Sequence, residues 1–339
     1  MFIAKTSQLL LRHAMKFNNK SIFFSGNIQD YFPAHLSALK KTIHIQKYYD
    51  QLSFHMIKNH KNVHICYEHI VTEKITKDYN VLIYYWPKNK NEAYFQLMNL
   101  LSCFSIGTKI FLIGNNSSGI NSASRMLFQW LTLKTLDRAK HSILNAGILL
   151  KKPIFIFENF FKTHIYNDIS VKTLPGIFDY KNIDSGSKFL ASTFSNKMKG
   201  PVLDMGCGSG FLSVLLEKNV PNINLTLVDN NIYALASSLA TLRINRMNGK
   251  ILLSDLYSNI FKKFNIIISN PPFHNDLKVN FNIVKNIISN ASKYLMINGE
   301  LRFVTNSCFS YKNILSKHFK KYKILKQNSK YRVYQAFLS

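Results

Sequence analysis

The segment Asn270-Pro271-Pro272-Phe273 contains the residue types that most directly suggest chemistry in this sequence. It follows the β-branched run Ile266–Ile268 and one serine, so we expect it at the end of a buried strand. The two prolines remove two backbone N–H donors and hold the chain extended. The amide oxygen of Asn270 and the carbonyl oxygens could then accept hydrogen bonds from a planar amino group. The ring of Phe273 could stack on the ring that carries this amino group. A plain proline turn also fits, so the interpretation depends on residues upstream.

A glycine-rich loop lies upstream, where Gly206, Gly208 and Gly210 follow the apolar stretch Pro201–Met205 and precede a predicted helix. Glycines let the backbone pass close to a ligand, and a helix N-terminus offers free N–H donors. We therefore predict a ligand-binding loop, which includes Cys207 as a small buried thiol. A G-x-G-x-G pattern by itself also fits dinucleotide-binding enzymes and ordinary tight turns.

Three carboxylates narrow the choice of ligand. Asp229 ends the second predicted strand, 19 residues after Gly210, where a carboxylate can bind both hydroxyls of a ribose. Asp204, inside the first strand, would repel a pyrophosphate but suits a cationic amino acid group. Asp255 follows the third strand, next to Ser254, and can meet the amino group of an adenine. Each could instead cap a helix or lie on the surface, but their combination predicts S-adenosylmethionine and not NAD.

Alternating strand and helix patterns position these residues. The predicted strands of the second half are Pro201–Met205, Ile223–Val228, Lys250–Leu253, Phe264–Ser269, Leu301–Thr305 and a hairpin of Tyr322–Leu325 with Arg332–Phe337. The helices there run from the glycine loop through Glu217, over Ile232–Asn245 and over Phe281–Leu295. The first half has predicted strands at Ser21–Phe24, His44–Ile45, Val63–Cys66, Val81–Tyr85 and Lys109–Ile113, and a helix at Asn91–Phe104. Such alternation is typical of an α/β fold with helices on the faces of a parallel sheet.

The two halves share a register that indicates an internal duplication. The segments Ile22–Gly26, Tyr79–Pro87 and Gly107–Ile113 align with Val202–Gly206, Phe264–Pro272 and Gly299–Thr305. Phe24 then replaces Asp204 and Tyr85 replaces Asn270, so we predict that the first half is a catalytically inactive copy kept for binding or support. We expect residues 1–165 to form the first domain and residues 166–339 the catalytic domain, with Lys151–Tyr180 as the connection.

The composition favours a folded protein with a polyanionic partner. The 339 residues are 47% hydrophobic and carry a formal net charge of +27, which attracts nucleic acid although a lysine-rich composition explains part of it. No acid follows Glu300, so the basic stretch Lys312–Arg332 is a candidate phosphate-facing surface. The cysteines form no CxxC pair and the histidines show no metal-ligand spacing, so we expect no metal site and a reducing, cytoplasmic setting. We expect neither a membrane-spanning run nor a secretion signal.

Taken together, these motifs resemble the class I S-adenosylmethionine-dependent methyltransferases that act on exocyclic amino groups. The sequence is most similar to the bacterial ribosomal RNA small subunit methyltransferase C family, nearly without gaps from residue 174 onward and mainly in layout before residue 150. Leu174–Phe178 and Asp184–Ser187 resemble the segment that packs over the methionine end of the cofactor in that family. The implied cofactor-binding residues are Asp184, Gly186, Asp204, Gly206, Cys207, Gly208, Gly210, Asp229, Asn230, Ser254, Asp255 and Asn270.

The resemblance implies a fold, a reaction and partners. The fold is two tandem Rossmann-like methyltransferase domains with seven-stranded mixed sheets, of which the first is a degenerate copy that binds or supports RNA. The reaction transfers a methyl group from S-adenosylmethionine to the exocyclic N2 of one guanine of 16S ribosomal RNA, at position 1207 in the family, within the assembled 30S subunit. We expect a monomer in the cytoplasm, with no membrane and no metal.

The residues suggest how such a transfer would proceed. If Asn270 Oδ1 and the Pro271 carbonyl each accept one N–H of the amino group, its lone pair is aimed at the methyl group, and this positioning is the main expected source of rate. Both hydrogen bonds strengthen as the nitrogen becomes cationic, and Phe273 would stack on the extruded base. The predicted catalytic residues are Asn270, Pro271, Pro272 and Phe273.

Two other interpretations stay open at this point. An amino-group methyltransferase acting on adenine N6 of DNA or on a protein glutamine would use similar site chemistry, although such enzymes more often have Tyr in place of Phe273. The second interpretation is a protein that only binds RNA and whose methyltransferase fold no longer catalyses a reaction. The intact Asp204, Asp229 and Asn270 argue against it, because the first half has lost such positions.

Overall fold

A computed structural model of the protein describes residues 3–47, 62–221, 223–272 and 277–339, without side-chain detail for residues 277–280. The chain divides into two compact units, Met1–Phe160 and Phe161–Ser339. The predicted catalytic residue Phe273 lies outside the described residues.

The first unit is built on one seven-stranded sheet. Its strands are β1 (Ser21–Gly26), β2 (Lys40–His44), β3 (Val63–Cys66), β4 (Val81–Tyr85), β5 (Lys109–Asn115), β6 (Leu131–Ala139) and β7 (Ser142–Leu149). The α-helices described in this unit are α1 (Lys5–Leu11), α2 (Phe32–His35), α3 (Glu73–Thr76), α4 (Lys90–Cys103) and α5 (Ala123–Leu127). Short 3₁₀ turns cover Ala14–Phe17, Asn116–Ser118, Ile120–Ser122 and Phe157–Phe160.

The second unit begins with a hairpin of β8 (Lys162–Tyr166) and β9 (Ile169–Thr173) and continues into a second seven-stranded sheet. The strands of this sheet are β10 (Pro201–Met205), β11 (Asn224–Asp229), β12 (Lys250–Leu253), β13 (Phe264–Ser269), β14 (Leu295–Asn306), β15 (Lys321–Gln327) and β16 (Tyr331–Phe337). Its described helices are α6 (Ser185–Ala191), α7 (Phe211–Asn219), α8 (Ile232–Ile244), α9 (Leu277–Tyr294) and α10 (Lys312–His318).

The two sheets have the same topology. Their strand orders are β3-β2-β1-β4-β5-β7-β6 and β12-β11-β10-β13-β14-β16-β15, and in each sheet one strand, β7 or β16, runs antiparallel to its neighbours. The predicted pair of seven-stranded mixed sheets is therefore confirmed. Because β10 lies beside β13 and parallel to it, the loops that follow these two strands meet at one edge of the sheet.

Strand pairing corrects one part of the predicted alignment between the halves. The segments around β1 and β4 pair in the same register as those around β10 and β13. In the third segment, Ile267 lies opposite Leu301, whereas its counterpart Leu82 lies opposite Ile110. Leu301 therefore corresponds to Ile110 and not to Lys109, a shift of one residue. The side chains agree, since Ile110 and Leu301 are buried and Lys109 is exposed.

The helix predicted over Phe281–Leu295 is α9, Leu277–Tyr294, and the strand predicted over Leu301–Thr305 is the longer β14, Leu295–Asn306. Further differences lie in the first half and in the connection. The strand expected at His44–Ile45 is β2, Lys40–His44. The strands β6 and β7 were not expected, and the edge strand β6, which is exposed at most positions, carries only a weak hydrophobic signal. The expected connection Lys151–Tyr180 contains the hairpin β8–β9.

The core of the second unit lies on both faces of its sheet. Val202 packs on one face with residues of α7 and α8, whereas Leu203 and Met205 pack on the other face with residues of α9. Because side chains alternate along a strand, Asp204 lies on the same face as Val202. A strand covered on both faces leaves no solvent-facing side, so the side chain of Asp204 is fully buried.

Two features are absent from the part of the chain that the structure describes. No helix in this part is long and apolar enough to cross a membrane. In the same ranges, no group of three or more His, Cys, Asp or Glu side chains is arranged to hold a metal ion.

Candidate active site

Asn270 follows directly on β13, at the sheet edge where β10 also ends. Its Nδ2 donates hydrogen bonds to Asp184 Oδ2 at 2.8 Å and to Ser187 Oγ at 2.7 Å. An ionised carboxylate can only accept, so the amide atom that faces Asp184 is the nitrogen. The amide oxygen, Oδ1, is withdrawn from solvent and has no hydrogen-bond partner among the described residues. A buried acceptor without a donor is costly, so this atom is available to a ligand that brings one.

The N-terminus of α6 fixes the orientation of this amide. Asp184 is the N-cap residue, and its Oδ2 also accepts a hydrogen bond from the Ser187 backbone N–H at 2.9 Å. The Ser185 hydroxyl lies 2.6 Å from the Tyr331 hydroxyl, which ties the first turn of α6 to the start of β16. Asn270 is therefore held by a capped helix that is anchored to the sheet.

Gly186 leaves space beside the same atoms. A Cβ at this position would lie 2.9 Å from Asp184 Oδ2, 3.2 Å from Tyr331 Cε1 and 3.4 Å from Asn270 Oδ1. Any side chain here would therefore press on the cap and stand next to the unpartnered amide oxygen.

The glycine loop follows β10 and is hydrogen-bonded to the end of the neighbouring strand β11. The N–H groups of Gly206 and Cys207 both donate to the Val228 carbonyl at 2.9 Å. Gly206 has φ +72°, and no described atom lies within 4 Å of the place its Cβ would take, so backbone conformation and not crowding favours glycine. At Gly210, with φ +78°, a Cβ would lie 3.1 Å from Ser238 Oγ, because α8 packs closely against the loop.

Asp229 connects the glycine loop to the start of α8. Its Oδ2 accepts a hydrogen bond from the Gly208 N–H at 3.0 Å, and its Oδ1 accepts one from the Asn231 N–H at 2.9 Å. The carboxylate is thus oriented by two backbone donors at the end of β11. This placement suits a group that is to bind the hydroxyls of a ribose.

The carboxyl end of β12 lies beside the end of β11, because the two strands are parallel neighbours. The Ser254 N–H donates to the Asp229 carbonyl at 3.0 Å, and Asp229 lies opposite Leu253, so Asp255 lies two residues beyond Asp229 in the register of the two strands. Asp255 and Asn230 are both partly exposed, whereas Ser254 is buried. The structure therefore brings Asn230, Ser254 and Asp255 to one end of the loop and Asn270 to the other.

Asp204 lies beneath the loop and has no exposed surface. Its Oδ2 accepts a hydrogen bond from Ser213 Oγ of α7 at 2.7 Å, and its Oδ1 has no partner among the described residues. Burial is the main cause that raises the pKa of Asp204 to about 7, and the charge of Asp229 adds to it. A cation bound above the loop would stabilise the charged form of Asp204 without touching it.

Asp179 is a neighbour of the loop that was not predicted from the sequence. Its Oδ2 accepts a hydrogen bond from Ser209 Oγ. Its Oδ1 is withdrawn from solvent, lacks a partner among the described residues and lies 4.0 Å from the place a Gly208 Cβ would take. The motif Leu174–Phe178 ends one residue before it, so that motif was the only available sequence signal.

The two prolines after Asn270 differ in exposure, since Pro271 is buried and Pro272 is exposed.

Three oxygen atoms at this edge are buried without a described donor, and they are Asn270 Oδ1, Asp204 Oδ1 and Asp179 Oδ1. Two of them belong to carboxylates. The site therefore fits a ligand that carries N–H donors and positive charge, as S-adenosylmethionine does.

Comparison with protein-family models assigns both halves of the chain. The model described as "Methyltransferase small domain" matches residues 168–335. The model described as "Methyltransferase small domain N-terminal" matches residues 7–164.

Two relatives that match this chain over nearly their full length carry the same name. The chain is 54% identical over 338 residues to "Ribosomal RNA small subunit methyltransferase C" of Buchnera aphidicola from Acyrthosiphon pisum, covering 99% of both chains. It is 38% identical over 333 residues to the protein of that name from Escherichia coli K12, covering 98% of this chain and 96% of the relative.

A solved structure has the same fold. The Thermus thermophilus 16S rRNA N2 G1207 methyltransferase, in complex with AdoMet and guanosine, superposes with a TM-score of 0.79 at 16% identity. The match covers 100% of this chain and 93% of that chain.

Proposed function

Because the chain belongs to the ribosomal RNA small subunit methyltransferase C family, we propose that it transfers a methyl group from S-adenosylmethionine to the exocyclic N2 of a guanine in 16S ribosomal RNA. One observation at the site carries the proposal. Both N–H groups of the Asn270 amide are used within the protein, and its buried oxygen is left without a described donor. An exocyclic amino group supplies such a donor.

The cofactor is held by the residues around the glycine loop. S-adenosylmethionine supplies an electrophilic methyl group and brings a positive charge to a site with buried carboxylates. The Asp229 carboxylate binds the ribose hydroxyls, while the end of β12 meets the adenine. Gly206 and Gly208 let the backbone approach the ligand, and Asp204 attracts the charge from below.

Asn270 and Pro271 orient the acceptor nitrogen. Asn270 Oδ1 and the Pro271 carbonyl accept the two N–H groups of the guanine amino group, so its lone pair is directed at the methyl group. The hydrogen bonds from Asn270 to Asp184 and Ser187 prevent the amide from flipping, which would replace the acceptor with a donor. As the nitrogen gains positive charge, its N–H groups become stronger donors, so both hydrogen bonds favour the transition state over the ground state.

The first unit serves as a non-catalytic domain that supports or binds the RNA. At the position of Asn270 it has Tyr85, which is buried and lies with its hydroxyl 3.0 Å from Ser7 Oγ. Ser7 is the third residue of α1, as Ser187 is of α6. The Asp30 carboxylate also accepts a hydrogen bond from Ser7 Oγ at 3.0 Å. The corner that corresponds to the active site is thus filled by the unit's own side chains.

The basic turn, Lys326–Arg332 between β15 and β16, is the surface we assign to the RNA backbone. It lies at the same sheet edge as Asn270, because β16 starts where β14 ends. Lys326 and Lys330 are exposed, and no ion pair joins either to a carboxylate in the described part of the chain. Lys326 Nζ donates to Ser192 Oγ at 2.7 Å, which holds its positive charge against α6.

Charge reversal at this turn, Lys326→Glu with Lys330→Glu, is expected to raise KM for 30S subunits roughly tenfold and to lower the salt dependence of binding by about two phosphate contacts. The affinity for S-adenosylmethionine should stay unchanged. Lys321→Glu with Lys323→Glu is the matched control, because it makes the same charge change at the far end of the same strand. Equal effects of the two pairs would show that net charge and not the turn matters.

An alanine at Gly186 tests the space beside the amide. We expect Gly186→Ala to lower methyl transfer strongly while the protein stays folded, because alanine favours a helix but its methyl group would lie 2.9 Å from Asp184 Oδ2. Tritium transfer to 30S subunits gives the activity, and thermal unfolding gives the stability. Ser195→Ala, at an exposed position just beyond the other end of the same helix, is the control, and activity equal to that of the wild type in Gly186→Ala would contradict the arrangement.

The substrate class is tested by incubation with tritiated S-adenosylmethionine and, separately, 30S subunits, free 16S ribosomal RNA, DNA and protein. Label is expected on N2 of one guanine of the RNA, with the assembled subunit as the better substrate. The names of the relatives give no support to a DNA adenine or a protein glutamine as acceptor, and label on either would overturn the proposal.

We place the reaction in the cytoplasm, where ribosomal subunits are assembled, and assign it to a monomer. Support for the monomer comes from the site itself, because the proposed site residues from Asp184 to Pro272 all belong to the second unit of one chain. Light scattering of the purified protein at working concentration checks the assignment.

A further inference from the structure

Asp179 is a carboxylate at the glycine loop that has no role in the proposed reaction so far. It lies in the segment between β9 and α6, and its Oδ2 accepts the hydrogen bond of Ser209 Oγ. Its second oxygen, Oδ1, is buried next to Gly208 and lacks a described partner. Oδ2 therefore has a hydrogen-bond donor from the glycine loop, whereas Oδ1 has no donor among the described residues.

The surroundings of Asp179 are acidic. Burial is the main cause that raises the pKa of Asp179 to about 6, and the charges of Asp184 and Asp229 contribute to this rise. No ion pair neutralises Asp179 within the described ranges. A carboxylate that is partly desolvated and close to other acids is stable only when a proton or a cationic donor accompanies it.

We propose that Asp179 binds the ammonium group of the methionyl end of S-adenosylmethionine, an inference that rests on the proposed function. The unpartnered Asp179 Oδ1 requires a hydrogen-bond donor such as an N–H group. The sulfonium centre carries positive charge but no hydrogen to donate, and the adenine amino group is assigned to the end of β12. The ammonium group is the part of the cofactor that offers both a positive charge and N–H donors.

The position in the chain agrees with this assignment. Asp179 lies beside Gly208 and Ser209, on the segment that leads to Asp184 and so to the amide of Asn270. The methionyl end must lie close to Asn270, because the methyl group is transferred there, whereas Asp229 holds the ribose. A residue on this segment therefore meets the amino acid part of the cofactor.

Calorimetry with two probes separates a contact to the ammonium group from a structural role. The probes are S-adenosylmethionine and 5′-methylthioadenosine, which has the nucleoside and the sulfur but lacks the amino acid part. Asp179→Asn keeps an acceptor for Ser209 Oγ and removes the charge. We expect its affinity for S-adenosylmethionine to fall about tenfold or more, with its affinity for 5′-methylthioadenosine unchanged.

Asp168→Asn is the matched control, since Asp168 is an exposed aspartate of the same unit, in the turn between β8 and β9, and should leave both affinities unchanged. Thermal unfolding verifies that both variants are folded. Equal losses for the two probes in Asp179→Asn would mean that Asp179 only supports the loop, and an unchanged affinity for S-adenosylmethionine would remove it from the site. Either result would overturn the inference while leaving the proposed function intact. Failure of the wild-type protein to bind S-adenosylmethionine would instead refute the proposed function itself.

Discussion

Asn270→Ala is expected to lower the turnover of methyl transfer by roughly 10²- to 10³-fold, as the loss of one oriented hydrogen bond to a developing charge does in other enzymes. The variant removes the oxygen that we propose accepts an N–H of the amino group, and it frees the acceptors of the two Asn270 hydrogen bonds at the N-terminus of α6. Because the ribose and adenine contacts that we propose lie at the other end of the glycine loop, the affinity for the cofactor should change little. Single-turnover transfer of tritium to 30S subunits measures the first quantity, and calorimetry the second.

The control for this experiment is Asn290→Ala. Asn290 lies on α9, and its amide donates to the Asn286 carbonyl of the same helix at 3.0 Å. Its replacement removes the same chemical group from the same unit without touching the site, so activity should be retained. If Asn270→Ala were as active as this control, the amide would have no part in positioning the acceptor.

Asp229→Ala is expected to weaken the binding of S-adenosylmethionine by about 100-fold or more, since the two proposed hydrogen bonds to the charged carboxylate contribute roughly 1.5–3 kcal/mol each. The carboxylate also accepts the N–H groups of Gly208 and Asn231, which the variant leaves without an acceptor. Part of the loss therefore comes from a loosened loop. Calorimetry gives the dissociation constant, and turnover at saturating cofactor should be recovered in large part.

Asp78→Ala provides the comparison for this second variant. Asp78 is an exposed carboxylate of the first unit that pairs with Lys40 at 3.1 Å, an interaction of small energy on the surface. It should leave cofactor affinity unchanged. A dissociation constant for Asp229→Ala equal to that of this control would remove Asp229 from the ribose site.

The sequence predicts the second half of the chain well because its strands are buried on both faces. Pro201–Met205 and Phe264–Ser269 are found with the bounds expected from their apolar runs. Such strands read as continuous hydrophobic stretches, and glycine or proline marks their ends. The edge strand β6 has no such signal, because most of its side chains are exposed and only pairing with β7 defines it.

The alignment of the two halves shows where pattern reasoning loses accuracy. The segments of β1 and β4 were placed correctly on β10 and β13, because each strand is short and its ends are marked. The predicted alignment of β5 with β14 is wrong by one residue. The pairing of β14 with β13 contains an irregularity between Phe264 and Ile266, and a local shift of this kind leaves no mark in the hydrophobic pattern.

The sequence by itself determined which residue types stand at the carboxyl ends of the strands. These are the glycines of the loop, Asp229 and the Asn270-Pro271-Pro272 segment, and their order along the chain predicts one edge of one sheet. The tertiary structure alone decided how those groups are satisfied. It commits both N–H groups of Asn270 to α6 and leaves the amide oxygen unpartnered, and it brings Asp179 to a loop 30 residues further along the chain. The physical reason is that a residue's type fixes what it can donate or accept, whereas its availability depends on neighbours that only folding brings together.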